Sequence, residues 1–340
     1  MKIANKEFHP YEKADELWVL TVYYNPCGYK SRRCTYDTFI HTMHVSGINV
    51  LTVECAFGDD LFELPESQDV IKVRSESLLW QKERFINIGA SYLPESCKYV
   101  AWVDCDVVFQ NRNWARETCE LLSNSCTVVQ LWETCLRLAK DGLNPEDNYR
   151  PVSFASVTSR DLSAMDQDRY DIHGHTGYAW AMRREIFDTV GLYEHAVSGS
   201  ADHFIAHAIY GKYGFCIENA LKHDQKQISH LKWWGDTFYS LAQGKLGAVS
   251  GEILRLWHGS HDRRDYFRRM WKITEYGFNP DTDLLAMPGR PLEWQPHVCT
   301  NKPRLVSYFA STLLHGKKIL SNQPTSFERE NHEKKSASMA

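Results

Sequence analysis

Apolar residues fall in short unbroken runs, each ending at a cluster of turn-forming or polar residues. Leu17-Trp-Val-Leu-Thr-Val-Tyr-Tyr24 stops at Asn25-Pro26-Cys27-Gly28, and Ile48-Asn-Val-Leu-Thr-Val-Glu54 repeats the pattern. Continuous β-rich runs of this length predict strands buried on both faces, as in a parallel sheet. Val70–Val73, Lys98–Phe109 and Thr127–Trp132 add further strands. Between them the spacing becomes helical: Phe39, Ile40 and Met43 share one side of Tyr36–Val45, and Leu79, Ile86, Ala90 and Leu93 share one face of a segment closed by Pro94. The helix around Trp114–Ser123 completes a β–α–β alternation, which predicts a doubly wound, mostly parallel α/β sheet with helices on both faces.

The run Lys98-Tyr-Val-Ala-Trp-Val-Asp104-Cys-Asp106-Val-Val-Phe109 breaks into two carboxylates where the strand should leave the sheet. Residues i and i+2 of an extended chain point to one side, so Asp104 and Asp106 can face one cation. Hard divalent ions prefer such oxygens and keep positions open for phosphate. Lys30, Arg32 and Arg33 follow the first strand, at the edge where open α/β sheets bind nucleotides. Glu54, ending the second strand, can accept hydrogen bonds from a ribose or base, or be a solvated strand end.

From about Asp141 to Asp171 the chain turns polar with little periodicity and reads as a long loop, of the kind that serves as a lid or stays disordered. Its end, Asp171–Met182, offers small residues for close backbone approach and aromatic faces suited to sugar rings. Arg183–Val190 is a helix stopped by Gly191. Asp202, after Ser198-Gly-Ser-Ala, is either an N-cap or a carboxylate placed to take a proton from an attacking hydroxyl. His203 and His207 stand four apart on that helix and could bind zinc. The sequence shows no third ligand and no glutamate between them, so they read as packing or polar-face histidines, as do His41 and His44. Gly251–Arg269 reads as strand, turn and helix. His258 in its turn can complete coordination of a cation such as Mn²⁺ while arginine neutralises a diphosphate, and Arg268 and Arg269 read as a solvated helix face.

Composition narrows this picture. The 340 residues are 43% hydrophobic and 24% charged with net charge -4, enough for a large core and without the basic field of a general nucleic-acid binder. Ten scattered cysteines without a Cys-x-x-Cys pair predict buried free thiols. No apolar run approaches a membrane span and the N-terminus has no signal core, so a soluble, cytoplasmic protein is expected. The absence of Gly-x-Gly-x-x-Gly argues against a dinucleotide cofactor.

The ordered set Asp104-x-Asp106, Gly177-Tyr-Ala-Trp-Ala-Met-Arg-Arg, Gly199-Ser-Ala-Asp202 and Trp257-His258-Gly259-Ser260-x-x-x-Arg264-x-Tyr266 resembles metal-dependent glycosyltransferases of the GT-A fold over about Leu17 to Leu285. The likeness is closest to bacterial or phage family-2-like and galactosyltransferase-like members, with Gly277-Phe278-Asn279-Pro280 following the arginine motif. It implies a nucleotide-diphosphate sugar donor, with UDP as the expected nucleotide. It also implies Mn²⁺ (or Mg²⁺) on Asp104, Asp106 and His258, and Asp202 as base of an inverting displacement. Where the family more often has Glu-Asp or Asp-Asp, this chain has Ala201-Asp202. Donor contacts are expected from Thr21, Tyr23, Asn25, Arg33, Glu54, Lys82, Asp104, Trp180 and Arg264. The acceptor is a hydroxyl of a saccharide, a protein or a modified DNA base. A metal-dependent nucleotidyltransferase or phosphohydrolase, and a non-catalytic sugar-binding module, are the alternatives.

The expected organisation is a nucleotide-sugar half over 1–140, a mobile segment over 141–175, and an acceptor-side, metal-completing half over 176–285. A C-terminal extension over 286–320, with Trp294 packed back on the core, precedes a disordered tail over 321–340.

Overall fold

A computed structural model describes residues 16–167, 169–257, 259 and 266–313. Its strands are β1 (Leu17–Tyr24), β2 (Asn49–Phe57), β3 (Val70–Ser75), β4 (Tyr99–Val103), β5 (Val107–Phe109), β6 (Val128–Gln130), β7 (Thr134–Arg137), β8 (Ala179–Arg183), β9 (Leu246–Ala248), β10 (Glu252–Arg255), β11 (Leu284–Leu285) and β12 (Glu293–Trp294). The helices are α1 (Lys30–Val45), α2 (Lys82–Ala90), α3 (Trp114–Asn124), α4 (Phe154–Thr158), α5 (Tyr170–His173), α6 (Arg184–Val190), α7 (Ala201–Ala208), α8 (Phe215–Ala220), α9 (Gln225–Ala242), α10 (Tyr266–Glu275), α11 (Pro296–Asn301) and α12 (Pro303–Leu313).

Seven strands form the central sheet in the order β3-β2-β1-β4-β8-β6-β9. All pairings are parallel except those of β8, which is antiparallel to both β4 and β6. The expected mostly parallel α/β sheet is therefore present. Alternate residues of each strand divide the core in two, as the period of an extended chain requires. Leu20, Trp102, Trp180 and Met182 pack with Ile86 of α2, Ile186 of α6, Phe204 of α7 and Phe238 of α9. On the opposite face Val19, Ala101, Val103 and Ala181 pack with Phe39 of α1 and Cys119 of α3.

Strand order reverses between β1 and β4, because β2 and β3 lie on one side of β1 while β4 lies on the other. The crevice beyond the C-terminal ends of such a strand pair is where open α/β sheets hold ligands. A second sheet, β5-β10-β7, begins where β4 ends. Thus Asp104-Cys105-Asp106 is the link by which the chain leaves one sheet and enters another, and strands on both sides restrain it.

Three expectations change. The polar segment over 141–175 is not featureless: it contains α4, a 3-10 turn over Leu162–Asp166 and α5, and buries Phe154, Ala155 and Met165. Its helices are four or five residues long, too short to show a period in sequence. The end of Asp171–Met182, read as offering small residues and aromatic faces to a sugar, together with Arg183 forms the antiparallel strand β8 in the middle of the sheet. The predicted helix from Leu79 to Leu93 shortens to Lys82–Ala90.

The segment after residue 285 has its own apolar packing. Trp294 joins Leu79, Val197, Ile273 and Phe278 in a separate apolar cluster. Buried Gln81 anchors the extension, its Nε2 donating to the Leu292 carbonyl at 3.2 Å and its Oε1 accepting the Leu292 N–H at 2.6 Å. All ten cysteines are free. No helix among the described residues is long and apolar enough to cross a membrane. The tail over 321–340 lies outside the described residues.

Candidate active site

Two clusters form at the C-terminal edge of the central sheet, on either side of the strand-order reversal. The first surrounds Lys82. Its ammonium lies 3.1 Å from Asp104 Oδ1, and 3.2 and 3.1 Å from the two carboxylate oxygens of Asp202. These partners stand 22 and 120 residues away in sequence. Glu83 adds a longer ion pair at 3.6 Å. Burial opposes the charge on Lys82, but the surrounding carboxylates outweigh it and raise the ammonium pKa well above the usual value. Burial also pushes Asp104 up to about 6 and Glu83 up to about 7, with Lys82 opposing both shifts.

Local backbone explains how these groups meet. The Asp104 N–H donates to the carbonyl of Tyr178 at 2.8 Å, tying the end of β4 to the entry of β8. Tyr178 holds φ 83° and Ser200, just before α7, holds φ 71°. Non-glycine residues in this region are costly, about 1–3 kcal/mol each, and recur at ligand sites. Gly177 allows a close approach: a Cβ there would lie 2.9 Å from the ring of His175 and 3.8 Å from Asp202 Oδ2. His175 accepts the Gly177 N–H on Nδ1 at 3.0 Å and stacks on Tyr178 at 4.5 Å, and burial pushes its pKa down to about 3. Asp202 is not the N-cap: Ser200 holds that place without a side-chain cap bond, and the Asp202 carboxylate faces Lys82.

Asp106 points into a different environment. It is only 4% exposed, and its Oδ2 lies 3.5 Å from Nε of the equally buried Arg255 on β10. Arg255 also reaches Glu146 at 3.8 Å. The Asp106 carbonyl accepts the Leu256 N–H at 2.7 Å, so the chain leaving β10 passes directly beside the two aspartates. His258 and Arg264 themselves lie outside the described residues. Residues 104–106 form a turn rather than an extended strand, so the two carboxylates do not simply share one side: Asp104 meets Lys82 and Asp106 meets Arg255, although both offer hard oxygens of the kind that suits Mn²⁺ or Mg²⁺.

The second cluster lines a cleft of about 200 Å³ between the ends of β1 and β2, bordered by Tyr23, Asn25, Gly28, Glu54, Phe57 and Glu63. That is below the ~300–1,000 Å³ of a whole-ligand pocket and suits part of a nucleotide. Glu63 organises it. The Tyr23 hydroxyl donates to Glu63 Oε2 at 2.5 Å, Asn25 Nδ2 donates to Oε1 at 2.8 Å, and Arg33 donates to the Glu63 carbonyl at 2.7 Å. Glu54 Oε1 accepts the N–H groups of Glu63 and Leu64 at 2.5 and 3.1 Å, while its buried Oε2 has no hydrogen-bond partner. Burial raises the Glu54 pKa. A buried acceptor without a donor costs about 1–3 kcal/mol, and a ribose hydroxyl or base N–H would relieve it. A larger hollow of about 420 Å³ is lined by Arg268, Arg269, Trp271, Lys272, Glu275 and Tyr308, and by none of the candidate residues among those described.

Two expected contacts are interior instead. Thr21 is fully buried and donates to the Val103 carbonyl at 2.8 Å, bracing β1 against β4. Trp180 is 1% exposed, donates to the Thr176 carbonyl at 2.7 Å and stacks on Trp102 with centroids 6.4 Å apart, so its ring faces the core rather than a sugar. Glu63, Arg255 and Glu146 were missed because each acts through partners remote in sequence, whereas His175 acts on its near neighbours Gly177 and Tyr178. Only the buried arginine had a local sign, sitting in the apolar run Ile253-Leu254-Arg255-Leu256.

No family model and no curated protein matches the chain. Among solved structures it is similar to a mutant of Drosophila β1,4-galactosyltransferase 7 in complex with manganese, UDP-Gal and xylobiose. The identity is 14% and the TM-score 0.30, covering 56% of this chain and 59% of that one, less than two thirds of its length. Residues 1–349 of S. aureus TarS give 8% identity and a TM-score of 0.37, covering 92% and 77%. A 4-diphosphocytidyl-2C-methyl-D-erythritol synthase from Anaerococcus prevotii gives 12% and 0.36, covering 70% and 90%. With similarities this distant, the functional reading rests on the chain's own residues.

Proposed function

We propose that the protein is a metal-dependent glycosyltransferase that moves a sugar from a nucleoside-diphosphate donor to a hydroxyl acceptor. One observation carries the reading: Lys82 gathers Asp104 and Asp202 at the C-terminal edge of the sheet, the edge at which the ends of β1 and β2 border a cleft lined by Glu54. The cleft takes the base and ribose on Glu54, Tyr23 and Asn25. The diphosphate then extends across the end of β1 towards Lys82 and the two aspartates. Asp104 and Asp106, with His258 as a further ligand, would hold a divalent cation, which when bound would neutralise charge on the departing diphosphate.

The protein's own groups account for the rest. Without ligand, Lys82 neutralises Asp202. An entering diphosphate competes for the ammonium, leaving Asp202 able to accept the acceptor's hydroxyl proton while the sugar's anomeric carbon is attacked from the opposite side. Arg255 holds Asp106 in place and balances its charge in a nearly closed environment. Uridine is the preferred base through the resemblance, and the acceptor class is a saccharide, protein or modified base hydroxyl.

The test is a screen of nucleotide sugars for Mn²⁺-dependent release of a nucleoside diphosphate, run with Asp106→Asn and Asp202→Asn. The proposal requires Asp106→Asn to lose metal-dependent turnover and Asp202→Asn to keep donor binding while losing transfer. Release of pyrophosphate instead would make the enzyme a nucleotidyltransferase. No nucleotide-dependent rise in melting temperature with Mn²⁺ would favour a sugar-binding module.

A further inference from the structure

Behind Asp202, helix α7 turns its next residue away from the cleft and into the core. His203 and His207 of α7, His173 at the end of α5 and Cys216 of α8 each offer one ligating atom, and these four atoms lie within 4.8 Å of one another. All four side chains are buried, none more than 2% exposed. The sequence shows only the i,i+4 histidine pair, and the fold supplies the third and fourth ligands.

The hydrogen bonds orient these groups as ligands. His207 Nδ1 lies 3.1 Å from the Lys212 carbonyl and His173 Nδ1 lies 2.8 Å from the Gly174 carbonyl. A carbonyl only accepts, so both rings carry their proton on Nδ1 and present a lone pair on Nε2. This is the arrangement by which outer carbonyls orient metal-bound imidazoles. His207 Nε2 is buried and has no hydrogen-bond partner, so the cluster leaves an acceptor unmet that a cation would satisfy. His203 Nε2 faces Cys216 Sγ at 3.3 Å. Tetrahedral zinc with N and S ligands requires atoms about 3.4–3.6 Å apart, which small rotamer shifts reach from the observed spread.

We propose that His173, His203, His207 and Cys216 form a closed, four-ligand structural site for zinc. Three imidazoles and a thiolate match a borderline-soft cation rather than the hard ion expected at Asp104 and Asp106. Four protein ligands with no exposed face leave no position for substrate, so the site is structural rather than catalytic. Binding converts the Cys216 thiol to thiolate and releases its proton to solvent. The bound ion ties together α5, α7 and α8, and so fixes the helix that presents Asp202 next to its ligand His203. The inference does not depend on glycosyl transfer and holds for any chemistry at the cleft.

The test is elemental analysis of the purified full chain after dialysis, alongside Co²⁺ substitution. One zinc per chain is expected, retained in Asp106→Asn and lost in Cys216→Ala and His207→Ala. A second variant pair, Cys34→Ser and Cys299→Ser, should keep the metal, because these thiols are exposed and are not among the clustered ligands. If the ligand variants do not fold, the wild-type Co²⁺ form still decides. Intense tetrahedral visible bands with a thiolate-to-metal charge-transfer band support the site. Weak six-coordinate absorption, zinc well below one per chain despite zinc in the growth medium, or zinc lost with Asp106→Asn but kept in Cys216→Ala overturns it.

Discussion

Helix α7 serves two clusters of opposite character from adjacent residues, Asp202 on one side and His203 on the other. The Asp202 side is charged and partly open, with side-chain exposures of 15% for Lys82, 32% for Asp104 and 18% for Asp202. The His203 side is enclosed, with His173, His203, His207 and Cys216 all buried. A partly solvated group of opposed charges can exchange an internal ion pair for an incoming anion at little cost, because water and the new ligand share the compensation. A sealed group of neutral ligands cannot exchange easily and suits an ion held permanently. Adjacent residues on one short helix thus divide into a working surface and a fixed foundation, separated by about 100° of helical rotation.

The sharpest way to break this comparison is Asp202→Asn. Transfer should fall by on the order of 10²–10⁴, with melting temperature, zinc content and nucleotide binding nearly unchanged. Product-formation kinetics beside calorimetric nucleotide titration checks it, and parallel loss of binding would assign Asp202 a structural part. Next in size, Lys82→Met leaves Asp104 and Asp202 facing one another without a cation. Partial exposure keeps the cost below the ~3–5 kcal/mol of a fully buried pair, so about 1–3 kcal/mol of stability should be lost by denaturant titration. Mn²⁺ should restore more stability to this variant than to the wild type.

On the enclosed side, Gly174→Ala tests how tightly the foundation is set. Gly174 holds φ 83° and ψ 165°, a region essentially reserved for glycine, and a Cβ would lie 2.7 Å from the Ser153 carbonyl oxygen. The expected cost is about 1–3 kcal/mol, with displacement of neighbouring His173 and faster loss of zinc to a chelator. The smallest expected effect is that of Trp180→Phe on nucleotide affinity. Its ring belongs to the core, so thermal stability should fall while the dissociation constant for a nucleotide diphosphate changes little. A large change in affinity would return Trp180 to the donor site.

Much of the fold was legible because its signals are local. Unbroken apolar runs marked β1, β2 and β4, and the two aspartates marked where the chain passes from one sheet to another. Trp180 shows the limit: an aromatic between small residues looks the same whether it faces a sugar or a sheet interior, and only the antiparallel insertion of β8 between β4 and β6 decides. The short helices within 141–175 escaped detection for a related reason, since helices of one turn have no period to detect. Glu63 escaped notice because its contacts with Tyr23, Asn25 and Arg33 span 30 to 40 residues of chain.

By itself, then, the sequence determined which segments are buried strands, where the carboxylates leave them, and that His203 and His207 share a helix face. Tertiary structure alone decided that Lys82 joins Asp104 to Asp202, that Arg255 backs Asp106, and that His173 and Cys216 complete the histidine pair. The physical reason is range. Periodicity and capping act over a few residues along the chain, whereas strand order and helix packing choose which distant side chains share a dielectric environment, and that choice sets charge, protonation and ligand chemistry.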